Sequence, residues 1–266
     1  MNYLSMDIGT SNIKIIETDE KLNIKNKMIL EKMESEKALE KFINENNINL
    51  ENIEKIIVTG VGANNMGDRY INTPIVQIPE FIATGSVGDE EKFIIASVGT
   101  GTAFIKNENG EIIHLGGTGV GGGTLINLCR KINPEVNFED IRKAELTGSL
   151  KNVDLTIQDV TTEEIKTLPK DTTAVNFGKL NEKATNEDVV LGIMNMVFET
   201  IGVMAALAAK GSNITNIIAI GQIINIPYAR KVLDKIEKLH NVKFTIPQNA
   251  EYGTAIGAIK AIIYKI

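Results

Sequence analysis

Asp7-Ile8-Gly9-Thr10-Ser11-Asn12-Ile13-Lys14 near the start of the chain has a counterpart in Ser97-Val98-Gly99-Thr100-Gly101-Thr102. Each stretch follows an apolar run, Tyr3 to Asp7 in one case and Phe93-Ile94-Ile95-Ala96 in the other. Each is followed by a second apolar run, Ile13 to Glu17 and Ala103 to Ile105. Strand, glycine turn and strand therefore recur, a weak internal repeat that brings two hairpin turns to a shared cleft. A turn without bulky side chains exposes consecutive N–H groups, and such a nest accepts phosphate oxygens at close range. Gly9, Thr10, Ser11 and Asn12 qualify, as do Gly99, Thr100, Gly101 and Thr102, with hydroxyls as further donors. A plain tight turn is the other reading of each, and finding two equivalent turns in one chain weakens it.

Outward from the turns the pattern is that of an α/β protein with two related lobes. Ile24 to Leu30 reads as a third strand and Ser35 to Asn46 as a helix, with Ala38, Leu39, Phe42 and Ile43 at helical spacing. Lys55 to Thr59 reads as a short buried strand ending in Gly60, and Ile112 to Leu115 as a strand of the second cycle. Thr185 to Lys210 is a long apolar helix rich in Met194, Met196 and Met204, suited either to a core or to a dimer contact. Asn216 to Ile220 is a strand ending in Gly221, Val232 to Leu239 an amphipathic helix, Lys243 to Ile246 a strand, and Gly253 to Tyr264 a final small-residue helix.

A third glycine cluster, Gly116-Gly117-Thr118-Gly119-Val120-Gly121-Gly122-Gly123, places six glycines in eight residues, which costs backbone entropy on folding. It leads into an expected helix from Thr124 to Lys131, where free amides and the helix dipole favour an anion. No GxxxxGK[ST] stretch is present, so this is not a Walker-type loop. The glycines do not open a βαβ unit with an acid some 20 residues later, as a dinucleotide fold requires. Asp7, at a strand end beside its turn, reads either as a plain strand-end carboxylate or as a group holding Mg²⁺ against nucleotide phosphates. Lys14 is a solvated lysine or a positive charge for the same site. Glu80, in Val76-Gln77-Ile78-Pro79-Glu80-Phe81-Ile82-Ala83, is a surface-loop glutamate or, with its pKa raised by partial burial, a base for a substrate hydroxyl.

Composition narrows the function classes. The 266 residues are 43% hydrophobic and 23% charged with net charge −6, which gives a globular chain without the basic surplus of a nucleic-acid binder. No apolar run reaches the roughly 18 residues of a membrane span, and Asp7 interrupts what a signal peptide would need. The expectation is a cytoplasmic protein that binds neither nucleic acid nor membrane. Cys129 is the one cysteine, so there is neither a disulfide nor a CxxC pair, and it is expected to pack. With only His114 and His240, a multi-histidine metal site or a Ser-His-Asp hydrolase is improbable. Phosphoryl transfer, which rests on positioning and electrostatics, fits this inventory.

The two turns, the glycine cluster at 116–123 and the late Ile220-Gly221 together resemble the nucleotide site of the acetate and sugar kinase, heat-shock ATPase and actin superfamily. More narrowly, the chain is similar to bacterial type II pantothenate kinases over nearly its full length. Ser97 to Thr102, Gly116 to Gly123, Asp154-Leu155-Thr156-Ile157 with Asp159-Val160, Ala174-Val175-Asn176-Phe177-Gly178 and Gly253-Thr254-Ala255-Ile256-Gly257-Ala258 carry this resemblance. It implies a two-lobed actin-like ATPase (ribonuclease H-like) fold with lobes at 1–88 and 89–266, the final helix 253–265 packing back on the first. It also implies ATP and pantothenate as substrates, and Mg²⁺ that arrives with ATP and is placed by Asp7. Glu80 corresponds to the carboxylate that takes the hydroxyl proton. Phosphate contacts fall at Gly9, Thr10, Ser11, Asn12, Lys14, Gly99, Thr100, Gly101, Thr102, Gly119, Gly121, Gly122, Gly123 and Gly221, and acceptor contacts at His114, Gly117 and Thr118. A homodimer built on helix 185–210 follows too, and coenzyme A is admitted as a feedback ligand.

Two positions depart from the family pattern. His114-Leu115-Gly116-Gly117 stands where the family has an arginine ahead of its Val-Gly-Gly step, and an imidazole lacks that fork and permanent charge. The first turn reads Gly-Thr-Ser rather than Gly-Gly-Thr, which keeps the hydroxyl donors. The rival readings are a kinase of the same architecture for another hydroxyl compound, such as a sugar or a pantothenate derivative, and a non-catalytic nucleotide or coenzyme A sensor. The iron–sulfur activator ATPases of the superfamily need cysteine ligands that this chain lacks.

Overall fold

The computed structural model describes residues 1–163, 165 and 168–265. Alternation along the first strand sets the layers. In β1 (Asn2–Ile8), Leu4, Met6 and Ile8 are buried in one cluster while Tyr3 is buried in another, as the two-residue repeat of a strand covered on both faces requires. β2 (Asn12–Asp19) and β3 (Ile24–Glu31) continue an antiparallel meander. α1 (Ser35–Glu45) lays Ala38, Leu39 and Phe42 on the Leu4–Met6–Ile8 face. β4 (Ile53–Thr59) then pairs parallel to β1, and β6 (Thr73–Gln77), preceded by the short β5 (Arg69–Tyr70), pairs parallel to β4. The resulting sheet has the order β3-β2-β1-β4-β6-β5, and α2 (Glu80–Gly85) follows it.

The second half repeats the design. β7 (Lys92–Val98), β8 (Thr102–Glu108) and β9 (Glu111–Thr118) form an antiparallel meander, followed by α3 (Gly122–Ile132) and α4 (Phe138–Thr147). A small excursion comes next: β10 (Leu155–Thr156), α5 (Ile157–Val160) and β11 (Thr173–Val175). α6 (Asn186–Gly211) opens with a capping box, the Thr185 hydroxyl accepting from the Asp188 N–H at 3.2 Å. β12 (Asn216–Gly221) is parallel to β7, and β13 (Lys243–Thr245), reached through α7 (Pro227–His240), is parallel to β12. The order β9-β8-β7-β12-β13 matches β3-β2-β1-β4-β6 strand for strand. The chain ends in α8 (Gly253–Tyr264), whose Ala255, Ala258 and Ile259 cover Tyr3, Ile16 and Ile57 on the face of the first sheet opposite α1.

α6 reaches a mean hydropathy of 1.8 over an 18-residue window, enough in length and composition to cross a membrane, yet 67% of that window is buried inside the protein. Met194, Val197, Phe198 and Ile201 pack there with Ile94, Ala96 and Val98 of β7 and Leu125 and Cys129 of α3. Cys129 is fully buried, and burial pushes its thiol up to about 11, so it behaves as a small apolar side chain.

The sequence reading needs correction at two places. The helix after the glycine cluster begins at Gly122 rather than Thr124, and Gly116 to Thr118 belong to β9. Those glycines let chain segments touch: a Cβ on Gly117 would lie 2.6 Å from the Thr102 carbonyl oxygen, and one on Gly121 2.7 Å from that of Thr100. Glu80 is the first residue of α2, not a loop residue, because Pro79 ends the preceding extended segment and opens the helix.

Candidate active site

The turns of the two meanders face each other. Gly9 N–H donates to the Asn12 carbonyl at 3.0 Å and Gly99 N–H to that of Gly101 at 2.8 Å, closing each turn. The Thr100 hydroxyl lies 3.0 Å from both the Thr10 and the Ser11 hydroxyl, so the turns meet through side-chain oxygens. Asn12 Nδ2 donates to Gln222 Oε1 at 3.4 Å, adding the end of β12 to the junction. Gly221 has φ +124°, and a Cβ there would stand 2.0 Å from the Val98 carbonyl oxygen, so glycine is required where β12 leaves its neighbour.

A cavity of about 740 Å³ opens at this junction. Asp7, Gly9, Thr10, Ser11, Asn12, Lys14, Glu80, Gly99, Thr100, Gly122, Gly123 and Gly221 all border it. Gly101, Thr102, Gly119, Gly121, His114, Gly117 and Thr118 do not. Thr102 is buried and donates its hydroxyl to the Val120 carbonyl at 2.8 Å, while the Thr118 hydroxyl accepts from Val120 N–H at 3.1 Å. His114 sits on exposed β9 and stacks on Phe81 with ring centroids 4.7 Å apart.

The glycine cluster departs from the expected arrangement of free amides. Gly122 N–H donates to the Gly99 carbonyl at 2.8 Å and Gly123 N–H to that of Thr100 at 3.0 Å. The amides at the start of α3 thus hold the second turn in place, and the cluster acts first as a clamp on Gly99-Thr100.

At the other wall β1 and β2 place Asp7 opposite Lys14 in register, with Lys14 Nζ 3.5 Å from Asp7 Oδ2. Burial raises the Asp7 carboxyl above its ordinary value, against the lowering effect of Lys14. Glu80 borders the cleft as an exposed residue at the start of α2. The surrounding walls desolvate it and raise its pKa, the negative charge of Asp7 raises it further, and Lys14 opposes both. Asp7, Lys14 and Glu80 therefore form one coupled electrostatic group beside the glycine turns.

Several cavity residues carry no local signature in the sequence: Lys32, Asn127, Arg130, Gln222 and Glu251. Lys32 reaches the site because β3 returns beside the first turn, its N–H donating to the Ser11 carbonyl at 3.0 Å. Asn127 and Arg130 reach it because α3 runs along the cavity from its glycine start.

Two meander-plus-parallel sheets with paired glycine turns and a cleft between them make the fold that of the actin-like ATPases. The activator of 2-hydroxyisocaproyl-CoA dehydratase from Clostridium difficile with bound ADPNP superposes with a TM-score of 0.68 at 18% identity, covering 100% of this chain and 95% of its own. Component A of (R)-2-hydroxyglutaryl-CoA dehydratase from Acidaminococcus fermentans gives 0.70 at 15%, covering 100% and 98%. A putative N-acetylmannosamine kinase from Listeria monocytogenes gives 0.61 at 11%, covering 100% and 99%. At these identities the likeness speaks for the fold alone.

The family follows from sequence. The Fumble family model matches residues 88–242. The type II pantothenate kinase of Bacillus cereus (strain AH820) is 31% identical over 230 residues, covering 80% of this chain and 81% of that protein. The type II pantothenate kinase of Staphylococcus epidermidis (strain ATCC 12228 / FDA PCI 1200) is 26% identical over 226 residues, covering 80% and 85%. The chain belongs to the Fumble family, that of the type II pantothenate kinases.

Proposed function

We propose that this chain is an ATP-dependent kinase of the cytoplasm. It transfers the γ-phosphoryl group of ATP to the hydroxyl of pantothenate, giving 4′-phosphopantothenate and ADP, the first step of coenzyme A biosynthesis. The observation that carries the reading is Glu80, a carboxyl with a raised pKa at the start of α2, beside Asp7 and Lys14 and next to the paired phosphate turns. A base poised above the ordinary carboxylate range accepts a hydroxyl proton more readily than an exposed glutamate does. The cavity volume of about 740 Å³ is in the upper part of the range for ligand sites, roughly 300–1,000 Å³, and holds a nucleotide with a small acceptor.

In this mechanism Gly9, Asn12 and Gly99 close the turns, and the N–H groups and hydroxyls of Thr10, Ser11 and Thr100 hold the phosphates. Glu80 takes the proton of the acceptor hydroxyl as its oxygen bonds to the γ-phosphorus and the bond to the β–γ bridging oxygen breaks. Lys14 stands 3.5 Å from Asp7 and opposes the rise in its pKa that burial causes. Asp7 is the residue that would hold Mg²⁺. One carboxylate suits a metal that arrives on nucleotide phosphates and keeps several waters, and no group of three or more His, Cys, Asp or Glu forms a dedicated metal site among the described residues. Held there with ATP, the metal would supply charge neutralisation at the phosphate oxygens. The chain acts as a homodimer through helix 185–210, a reading supported by the incompletely buried Met196, Val203 and Leu207 along the outer side of α6.

The deciding experiment is ADP release with MgATP and pantothenate, with product identified by mass, for the native chain and for Glu80→Ala. Turnover that disappears in the variant supports both the activity and the base. Turnover that survives in it removes Glu80 from that role. Nucleotide binding without phosphopantothenate overturns the pantothenate assignment.

A further inference from the structure

Four carboxylates border the cavity, Asp7, Glu31, Glu80 and Glu251, against three cations, Lys14, Lys32 and Arg130. A polyphosphate entering a cavity of this balance depends on the cations that are not already neutralised. Lys14 is committed to Asp7 at 3.5 Å. Arg130 is in the last turn of α3, eight residues and so about 12 Å along the helix from the end that clamps the second turn. Lys32 remains. Among the described residues no carboxylate lies within 4.0 Å of its ammonium group, which instead donates to the Gly9 carbonyl at 2.8 Å.

Its position is defined at both ends. The Lys32 backbone N–H is bonded to Ser11 and its Nζ to Gly9, so the residue straddles the first phosphate turn. Across from it runs the loop after β4. A Cβ on Gly62 would come within 3.3 Å of Lys32 Nζ, and one on Gly60 within 3.0 Å of Asp7 Oδ1, so this one loop borders both side chains. The ammonium thus shares this loop with Asp7 and lines the same cavity as Asp7 and Glu80. A single neutral carbonyl is a weaker partner for an ammonium than a phosphate oxygen, because the phosphate carries a full negative charge and adds Coulomb attraction to the hydrogen bond. The stem is exposed and free to re-aim.

We infer that Lys32 is a nucleotide-binding residue that leaves the Gly9 carbonyl and bonds the terminal phosphate of the bound triphosphate. This rests on the kinase reading and adds to it the residue that tells triphosphate from diphosphate.

The test is calorimetric binding of ADP and of the non-hydrolysable triphosphate ADPNP, each with Mg²⁺, to the native chain, Lys32→Met, Lys32→Gln and Lys32→Arg. No acceptor and no turnover are involved. Lys32→Met and Lys32→Gln weaken ADPNP by about 10- to 100-fold, the range for losing one charged hydrogen bond, and change ADP by less than about 3-fold. Lys32→Arg recovers most of the loss, and raising salt weakens ADPNP binding less in the Met variant than in the native chain. Equal weakening of both nucleotides, or weakening of neither, overturns the assignment of Lys32 and leaves the kinase reading standing. A native chain that binds neither nucleotide overturns both.

Discussion

Gly257→Ala tests whether the catalytic geometry is set by the packing of α8 on α2. A Cβ on Gly257 would stand 1.9 Å from the Ala83 carbonyl oxygen, 3.0 Å from its carbon and 3.1 Å from Val87 Cγ2. An ordinary non-bonded separation is about 3.5 Å, so the helices must part by about 1.5 Å. The obstacle is backbone and no rotamer relieves it. Replacing glycine by alanine inside a helix gains about 1 kcal/mol in propensity. Overpacking costs about 1–3 kcal/mol, and a backbone clash this close belongs at the upper end, so the clash wins by about 1–2 kcal/mol. For a chain of this size that lowers Tm by roughly 2–8 °C. α2 begins at Glu80, so its retreat also carries the proposed base away from the acceptor hydroxyl. A displacement of about 1 Å costs on the order of 100-fold in rate. Thermal unfolding and steady-state ADP release measure the two effects. Gly211→Ala is the control, since nothing lies within 4 Å of its added methyl, and it leaves both quantities unchanged or raises Tm slightly. Native Tm and native turnover in Gly257→Ala would refute the claim that α8 fixes α2.

A pH series on kcat/KM should show an acid limb above the ordinary glutamate value of 4.5, because burial and the charge of Asp7 both favour protonated Glu80. The folded state holds that proton more tightly than the unfolded one, so Glu80 costs stability as pH rises through the window between the two values. Glu80→Gln accordingly abolishes turnover yet raises Tm at pH 7, and loses that advantage when pH falls below both values. Asn195→Leu removes the amide that donates to Asp154 at 2.8 Å and to Thr173 at 3.1 Å, and strips the acceptor from Tyr228. Asp154 is 1% exposed and is then left, among the described residues, with one partner, the Phe177 N–H, so urea denaturation should report a loss of about 2–4 kcal/mol. Thr100→Val, which removes the hydroxyl shared by both turns, should raise the KM for ATP by about 10-fold or more with a change in stability below about 1 kcal/mol.

Much of the molecule was legible because its strongest signals are local. Alternation and short apolar runs gave the two meanders, and the repeated Gly-Thr turns gave their equivalence, since a tight turn dictates its own residues. The helix 185–210 appears within one residue of its expected ends because a capping residue and an unbroken apolar pattern mark it. The segments read least well were those stabilised by distant partners. β5 and β6 are short and partly buried, and β6 gains its place from pairing with β4. The polar cluster of Asp154, Asn195, Thr173 and Tyr228 joins four separate stretches, and none of them signals it alone.

The sequence by itself determined that the chain carries two hairpin turns able to meet phosphate, that it lacks the ligands for thiol or multi-histidine chemistry, and which carboxylates were worth watching. Tertiary structure alone decided what those groups do to one another. Glu80 has a raised pKa because burial takes water from it and Asp7 stands nearby, and both depend on the fold bringing the start of α2 to a cleft that it shares with a residue more than seventy positions earlier in the chain. The amides of Gly122 and Gly123 are spent on the second turn because α3 docks there. Lys32 joins the site because β3 ends beside Ser11. Periodicity and turn chemistry act between neighbours in the chain, while desolvation, Coulomb coupling and cavity shape act between neighbours in space.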